Sequence, residues 1–273
     1  MVLEPRLTDE DYRAWAQWQA TAAIHSRSLP FLRRVESSKR YVGDALAQQP
    51  DTCVMWSGGK DSTVMTHLIG VTMGAKHLTV YSEKDDLDYP GEEQYVTDLA
   101  AQWGLNLKIL RPTVSPTEWL NAHRHELHVG GDIHSRAASL SKAVFYGLVK
   151  SASSNHGGIF LGLRQDESRA RRMNRATRGP VYTKNDGQTV CTPIVDWSGL
   201  DVMAYAVRHD VPLLSVYQCI AFMHAREPWR VRKSWWVPEA SSQRHGGVAW
   251  LRHYFPTLYR KLAEWVPRAQ SIS

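Results

Sequence analysis

Three cysteines in 273 residues are too few for a disulfide framework, and none belongs to a C-x-x-C pair. They are also one short of the usual four thiolates of an iron–sulfur cluster. No apolar run approaches the roughly 20 residues that span a bilayer. The stretch from Met1 to Asp11 mixes charges with few apolar side chains and has no signal-peptide core. Internal repeats and low-complexity tracts are missing. So are the G-x-x-x-x-G-K-[ST] loop and the G-x-G-x-x-G dinucleotide pattern. The expectation is a soluble, cytoplasmic, globular protein with no membrane partner. Hydrophobic residues at 43% and charged residues at 22% agree with that class.

What is present is unevenly spread. The chain carries a formal charge of +6. Residues 221–273 hold seven Arg and two Lys against Glu227, Glu239 and Glu264, which equals the whole excess. They also hold five of the eleven tryptophans. Such a segment suits a polyanion, or it is a packed subdomain with a solvated basic face.

Periodicity supplies the elements. Thr8 with Asp11 forms a capping box ahead of a helix over 8–24. Leu32, Val35, Val42, Ala45 and Leu46 give a second helix that ends near Pro50. Thr52 to Trp56 is a short apolar run without alternation, as in a strand buried on both faces. Further strands fall at 78–81, 107–110 and 159–161. Helical stripes fall at Val64–Ile69, Val96–Trp103, 137–150 and Leu200–Val207, the last with a capping box at Ser198 and Asp201. Strands alternating with helices predict an α/β, Rossmann-like three-layer fold with a mainly parallel sheet. Ligands in such folds bind beyond the carboxyl ends of the strands, here just after residues 56, 81, 110 and 162.

The first of those places reads Ser57-Gly58-Gly59-Lys60-Asp61-Ser62. Two glycines let the backbone turn tightly and bring its N–H groups to a ligand. The helix that follows aims its N-terminus at the same spot. Lys60 adds a full charge, Ser57 and Ser62 add hydroxyls, and Asp61 can hold Mg²⁺ or order the loop. The pattern is a phosphate cradle. The fourth strand runs into Gly162-Leu163-Arg164-Gln165-Asp166-Glu167-Ser168-Arg169-Ala170-Arg171. Six arginines lie within fifteen residues here, at 164, 169, 171, 172, 175 and 178. Arginine grips phosphate or sulfate with two parallel N–H groups. Arg164 and Arg171 are the expected anion-pocket residues, oriented by Glu167, while Arg175 and Arg178 read as a solvated basic face.

Ser57 to Ser62 resembles the PP-loop of the ATP pyrophosphatases, the adenine-nucleotide alpha-hydrolase-like superfamily. Gly162 to Arg171 is similar to the G-x-R-x-x-E-S-x-x-R segment of its phosphoadenosine phosphosulfate (PAPS) reductase branch. Cys191-Thr192-Pro193-Ile194-Val195-Asp196-Trp197, then Asp201-Val202, Tyr205, and His209 through Tyr217, look like that branch's later motifs. The resemblance implies binding of ATP or PAPS with Mg²⁺, Lys60, Asp61 and Arg164 being catalytic and Asp61 the metal ligand. It implies a nucleotide site at Ser57, Gly58, Gly59, Lys60, Asp61, Ser62, Gly162, Arg164, Glu167 and Arg171. A carboxylate after the second strand, Glu83, joins them as superfamily members often have one there, whereas Asp85, Asp86 and Asp88 read as a solvated turn.

Two features depart from the branch. The C-terminal Glu-Cys-Gly-Leu-His segment of PAPS reductases, whose cysteine attacks the sulfonyl sulfur, has no counterpart after Cys219. Lys60 is kept where many of those reductases have lost it. Both favour α–β cleavage of ATP and adenylation of an acceptor, in sulfur metabolism or sulfur modification of a nucleic acid. The acceptor would be sulfate-like or a nucleic acid, with or without a protein partner subunit. The alternatives are a reductase using PAPS with a thiol from Cys219 or a partner, and a non-catalytic nucleotide- or nucleic-acid-binding subunit. The expected organisation is a helical N-terminal extension (1–50), a nucleotide-binding domain (51–220) and a basic, Trp-rich C-terminal subdomain (221–273). His123, His125, His128 and His134 match neither H-E-x-x-H nor a zinc finger and read as a surface loop or polar helix edge.

Overall fold

The computed structural model describes residues 4–86, 88–122, 147–222, 227–231 and 246–265. Two long helices open it, α1 (Asp9–His25) and α2 (Leu29–Gln48). The Thr8–Asp11 capping box is formed in both directions. The core then alternates: β1 (Thr52–Met55), α3 (Lys60–His67) with a π-helical continuation over Leu68–Thr72, β2 (Thr79–Glu83), α4 (Glu92–Trp103) and β3 (Asn106–Leu110). Next come α5 (Pro116–Ala122), α6 (Gly147–Ser153), β4 (Gly158–Leu161), a 3₁₀ turn at Gln165–Glu167 and α7 (Arg169–Arg178). The chain continues through β5 (Val181–Thr183), β6 (Thr189–Cys191) and α8 (Gly199–Arg208), the last closed by the Ser198–Asp201 capping box. Helices α9 (Gly246–Tyr254) and α10 (Pro256–Trp265) follow. Most of the helix expected over 137–150, and the histidines at 123–134, lie outside the described residues.

The six strands form one sheet in the order β3-β2-β1-β4-β6-β5. All neighbours are parallel except β5 against β6. This is the expected α/β architecture, with β5 as an antiparallel edge. Register separates the faces. Val54 lies beside Val80 and Phe160, and Phe160 beside Cys191. These four side chains join the main core with α2, α3, α4 and α8. Cys53, Ile159 and Val190 are aligned on the opposite face and pack with Tyr81 and, from α6, Ala152. A second apolar cluster joins Ala14 of α1 to Tyr217, Ile220, Trp250, Leu251 and Tyr254.

Strand order decides where a site can form. From β1 the chain crosses to β2 on one side, and the later β4 pairs on the other. The loops after β1 and β4 therefore open side by side into a crevice at a topological switch point, where open α/β sheets bind ligands. Those loops are 57–59 and 162–168, the two motif segments. Among the described residues no helix is long and apolar enough to cross a membrane.

Candidate active site

The loop after β1 is fixed from within. Gly58 has φ +82°, a conformation that side chains rarely adopt, and a Cβ there would sit 2.9 Å from Glu92 Oε1. Ser57 and Ser62 hydroxyls lie 3.0 Å apart, and Ser62 Oγ donates to the Gly59 carbonyl at 2.9 Å. The indole N–H of Trp56 donates to Thr63 Oγ1 at 2.9 Å, behind the loop. Gly59 caps α3 without a side-chain bond, which leaves the first amides of the helix to other partners. One is already taken: the Lys60 amide donates to the hydroxyl of Tyr217 at 2.9 Å. The loop after β4 presses against this one. A Cβ on Gly162 would lie 2.8 Å from Ser62 Cα, so only glycine allows that approach.

Charge converges where the loops meet. Lys60 Nζ donates to Asp61 Oδ2 at 2.7 Å, and Arg164 Nε lies 2.6 Å from Asp61 Oδ1. Lys60 is 6% exposed and Arg164 2% exposed, so neither is a solvated surface cation. Burial alone would raise the Asp61 carboxyl, but Lys60 and then Arg164 outweigh it and hold its pKa below the ordinary value of 3.8. Arg164 also donates to Asp166 at 2.7 Å. Glu167 sits between the two arginines: it accepts from the Arg164 amide at 3.3 Å and from the Arg171 guanidinium. The result is a cleft of about 330 Å³ at the crevice, within the volume range of small-molecule sites. Among the described residues its lining carries four cations (Lys60, Arg164, Arg171, Arg230) and three carboxylates (Asp61, Asp166, Glu167).

Of the residues expected from sequence, Ser57, Gly59, Lys60, Asp61, Ser62, Gly162, Arg164, Glu167 and Arg171 all line this cleft. Gly58 lies behind it and shapes the turn. Glu83 does not line it; as the last residue of β2 it is paired in register with Leu110 of β3. Asp61, the expected metal ligand, has each oxygen within 2.7 Å of a side-chain cation, yet its buried Oδ1 makes no hydrogen bond among the described residues. Among the described residues no group of three or more His, Cys, Asp or Glu is arranged to hold a metal. Arg175 is only partly exposed and is paired: its guanidinium grips Asp196 with two bonds of 2.9 Å. The acidic turn also does structural work, Asp86 accepting from Ser115 Oγ at 2.6 Å ahead of α5.

Four features escaped sequence reasoning. Tyr217 belongs to a quoted motif, yet nothing local reveals that it meets Lys60, 157 residues away. Lys84, 1% exposed, donates to the Ser57 carbonyl at 3.1 Å and to Glu92 at 2.7 Å. Asp166 joins Arg164. Trp229, Arg230 and Val231 form part of the cleft wall from the basic C-terminal segment. All three cysteines are buried and none lines the cleft. Burial pushes the Cys53 thiol up to about 12 and also raises those of Cys191 and Cys219, so none is a ready thiolate.

Residues 51–220 match the model of the phosphoadenosine phosphosulfate reductase domain. A phosphoadenosine 5'-phosphosulfate reductase of Thiocapsa roseopersicina is 31% identical over 185 residues, which is 66% of this chain and 73% of the relative. Another, of Xylella fastidiosa (strain M12), is 28% identical over 199 residues, or 70% of this chain and 80% of the relative. Among solved structures, the PAPS reductase of Candida auris in a phosphate complex aligns at 19% identity and a TM-score of 0.49, covering 65% of this chain and 81% of that one. The family match takes in well over half of the sequence, including both loops of the cleft, and the chain belongs to the phosphoadenosine phosphosulfate reductase domain family.

Proposed function

We propose that this chain is an enzyme that binds ATP in the cleft between the two loops and adenylates an acceptor with release of pyrophosphate. The observation that carries this reading is the pairing of a buried Lys60 and Arg164 at the phosphate loop with a cleft that no cysteine lines. Loop amides and the α3 N-terminus suit phosphate oxygens. Lys60, Arg164 and Arg171 oppose the negative charge that grows on the leaving group. In the step itself, an acceptor oxyanion attacks the α-phosphorus. An O–Pα bond forms as the bond from Pα to the bridging oxygen breaks, and that electron pair leaves on pyrophosphate. Catalysis is then positional and electrostatic, as is usual for phosphoryl chemistry. Asp61 keeps the two cations apart and aimed at the cleft. Asp61, through its Oδ1, would also be the residue to hold a Mg²⁺ ion brought with the nucleotide, which would neutralise charge on the phosphates.

A second reading takes PAPS as the nucleotide, with a thiol supplied by another protein. The names of the relatives and the four cations of the cleft favour it; the burial of every cysteine of this chain requires the outside thiol.

One experiment separates the two. Labelled AMP or adenylate is followed from α-labelled ATP and Mg²⁺, and released pyrophosphate is assayed alongside, with sulfate, DNA or tRNA as acceptor, beside Lys60→Ala. Pyrophosphate and an adenylate that disappear in the variant, by at least about 100-fold, are the expected result. Unaltered turnover in Lys60→Ala would sink the assignment. Absence of release from ATP, with sulfite formed from PAPS and a dithiol donor, would establish the second reading instead.

A further inference from the structure

Helix α7 has a composition that folding does not account for. Its ten residues, Arg169–Arg178, include five arginines and no carboxylate, and none of them is buried. It has no apolar face to dock, and Met173 is 59% exposed. Short helices are marginal without such a face. Arginines at 169 and 172, 172 and 175, and 175 and 178 are three apart, and those at 171 and 175 four apart, so the helix carries adjacent like charges that weaken it. It is held by the Ser168 cap, by Arg171 on Glu167 and by Arg175 on Asp196. Those contacts use two arginines. Arg169, Arg172 and Arg178 remain exposed, and among the described residues none of them pairs with a carboxylate. Arg178 lies over the Tyr182 ring at 5.2 Å.

We propose that α7 is the docking surface for a single-stranded nucleic acid, which delivers the acceptor group into the adjacent cleft. A polyanion relieves the repulsion among these arginines, and the guanidinium fork matches phosphate oxygens. From Arg169 through Arg172 to Arg178 the guanidinium groups rise about 13 Å along the axis while winding half-way round the helix, so a strand crossing the helix obliquely meets them in succession. Its first turn is part of the cleft itself, through Arg171. Trp229, half-buried against Gly199 and edge-on to Trp18, adds an aromatic side chain to the cleft wall. A cleft of about 330 Å³ that also takes the nucleotide has no room for a duplex, so an acceptor must reach its mouth as an unpaired group. Binding of the strand stands on α7 alone; its use as acceptor rests on the adenylation reading.

The test is fluorescence anisotropy of the full chain with labelled short oligonucleotides of one sequence, as single-stranded RNA, single-stranded DNA and duplex DNA, across a salt series. The key variant is Arg169→Gln/Arg172→Gln/Arg178→Gln, and the control is Arg27→Gln/Arg33→Gln/Arg40→Gln, which removes the same charge from exposed positions on α2 and the turn before it. The expected result is salt-sensitive binding of a single strand that falls at least about tenfold in the α7 variant, with the salt slope reduced by about 2. The control should stay within about twofold of wild type, and the α7 variant should still bind ATP. Whichever of RNA or DNA binds more tightly names the strand. No strand binding by a chain that binds ATP would overturn the inference. So would an equal loss in the control, or a duplex bound as tightly as the strand. Strand binding lost in the α7 variant, in a chain that shows no ATP turnover, would keep the docking surface and remove the adenylation reading.

Discussion

At the scale of single residues the cleft is organised by one carboxylate. Asp61 faces Lys60 at 2.7 Å and Arg164 at 2.6 Å, in a setting where both cations are almost wholly out of water. Removing one member of a buried ion cluster leaves the others uncompensated, which typically costs about 3–5 kcal/mol. Asp61→Asn is therefore expected to lower stability by about that much at neutral pH, read by urea denaturation. The pH dependence has a definite sign. Since the folded pKa is held below 3.8, the carboxylate contributes stability at every pH above that value. That contribution is lost as the pH falls through the lowered pKa. The difference between wild type and Asp61→Asn should thus be flat from neutrality to about pH 4 and shrink only in stronger acid. A difference that already closed between pH 7 and 5 would show that Asp61 is not held ionised by its neighbours.

At the scale of elements, the sequence was most legible where chemistry and spacing are local. Both capping boxes formed as read, because Thr8–Asp11 and Ser198–Asp201 are complete within four residues. Strands β1 to β4 were visible as apolar runs. Strands β5 and β6 were not, being three residues each, and α7 was invisible as a helix because it has no apolar stripe. What could not be read was the support behind the loop. Lys84 and Glu92 flank an acidic turn that looks solvated, yet they form a fully buried pair whose lysine also holds the Ser57 carbonyl. The pair acts through the shape of the loop, since Gly58 is pressed against Glu92. Lys84→Met is expected to cost about 3–5 kcal/mol by leaving Glu92 as a buried charge, and to raise the KM for the nucleotide. Lys84→Met/Glu92→Leu should recover most of the stability without recovering the KM, because an apolar pair packs well and cannot hold the Ser57 carbonyl. Recovery of both in the double variant would mean that the pair serves folding alone.

At the scale of the whole molecule the expected segments 1–50, 51–220 and 221–273 share their cores. The main cluster includes Phe31, Val35 and Val42 of α2 beside strand residues, and the second includes residues of α1, of the stretch near Tyr217 and of α9 and α10. Asp11 is the polar counterpart of that second cluster and is wholly buried. Its Oδ2 accepts from the Thr8 amide and hydroxyl at 2.9 and 2.7 Å. Its Oδ1 accepts from the amides of Ile220 and Ala221 at 2.9 and 2.8 Å and from the Tyr254 hydroxyl at 2.7 Å. One side chain therefore ties the N-terminal helix, the segment after Tyr217 and α9 together. We propose that the three segments unfold as a single cooperative body. Asp11→Ala strands several buried donors, each worth about 1–3 kcal/mol when left without an acceptor. The expected outcome is a loss of about 3–5 kcal/mol in urea, with tryptophan fluorescence and far-UV circular dichroism shifting together. The effect should also reach the cleft, since Tyr217 belongs to this cluster and holds the Lys60 amide. A weaker nucleotide affinity in Asp11→Ala, under conditions where the variant is fully folded, measures that link. Two separated transitions, or an affinity equal to wild type, would instead make the C-terminal segment an independent body that merely borders the site.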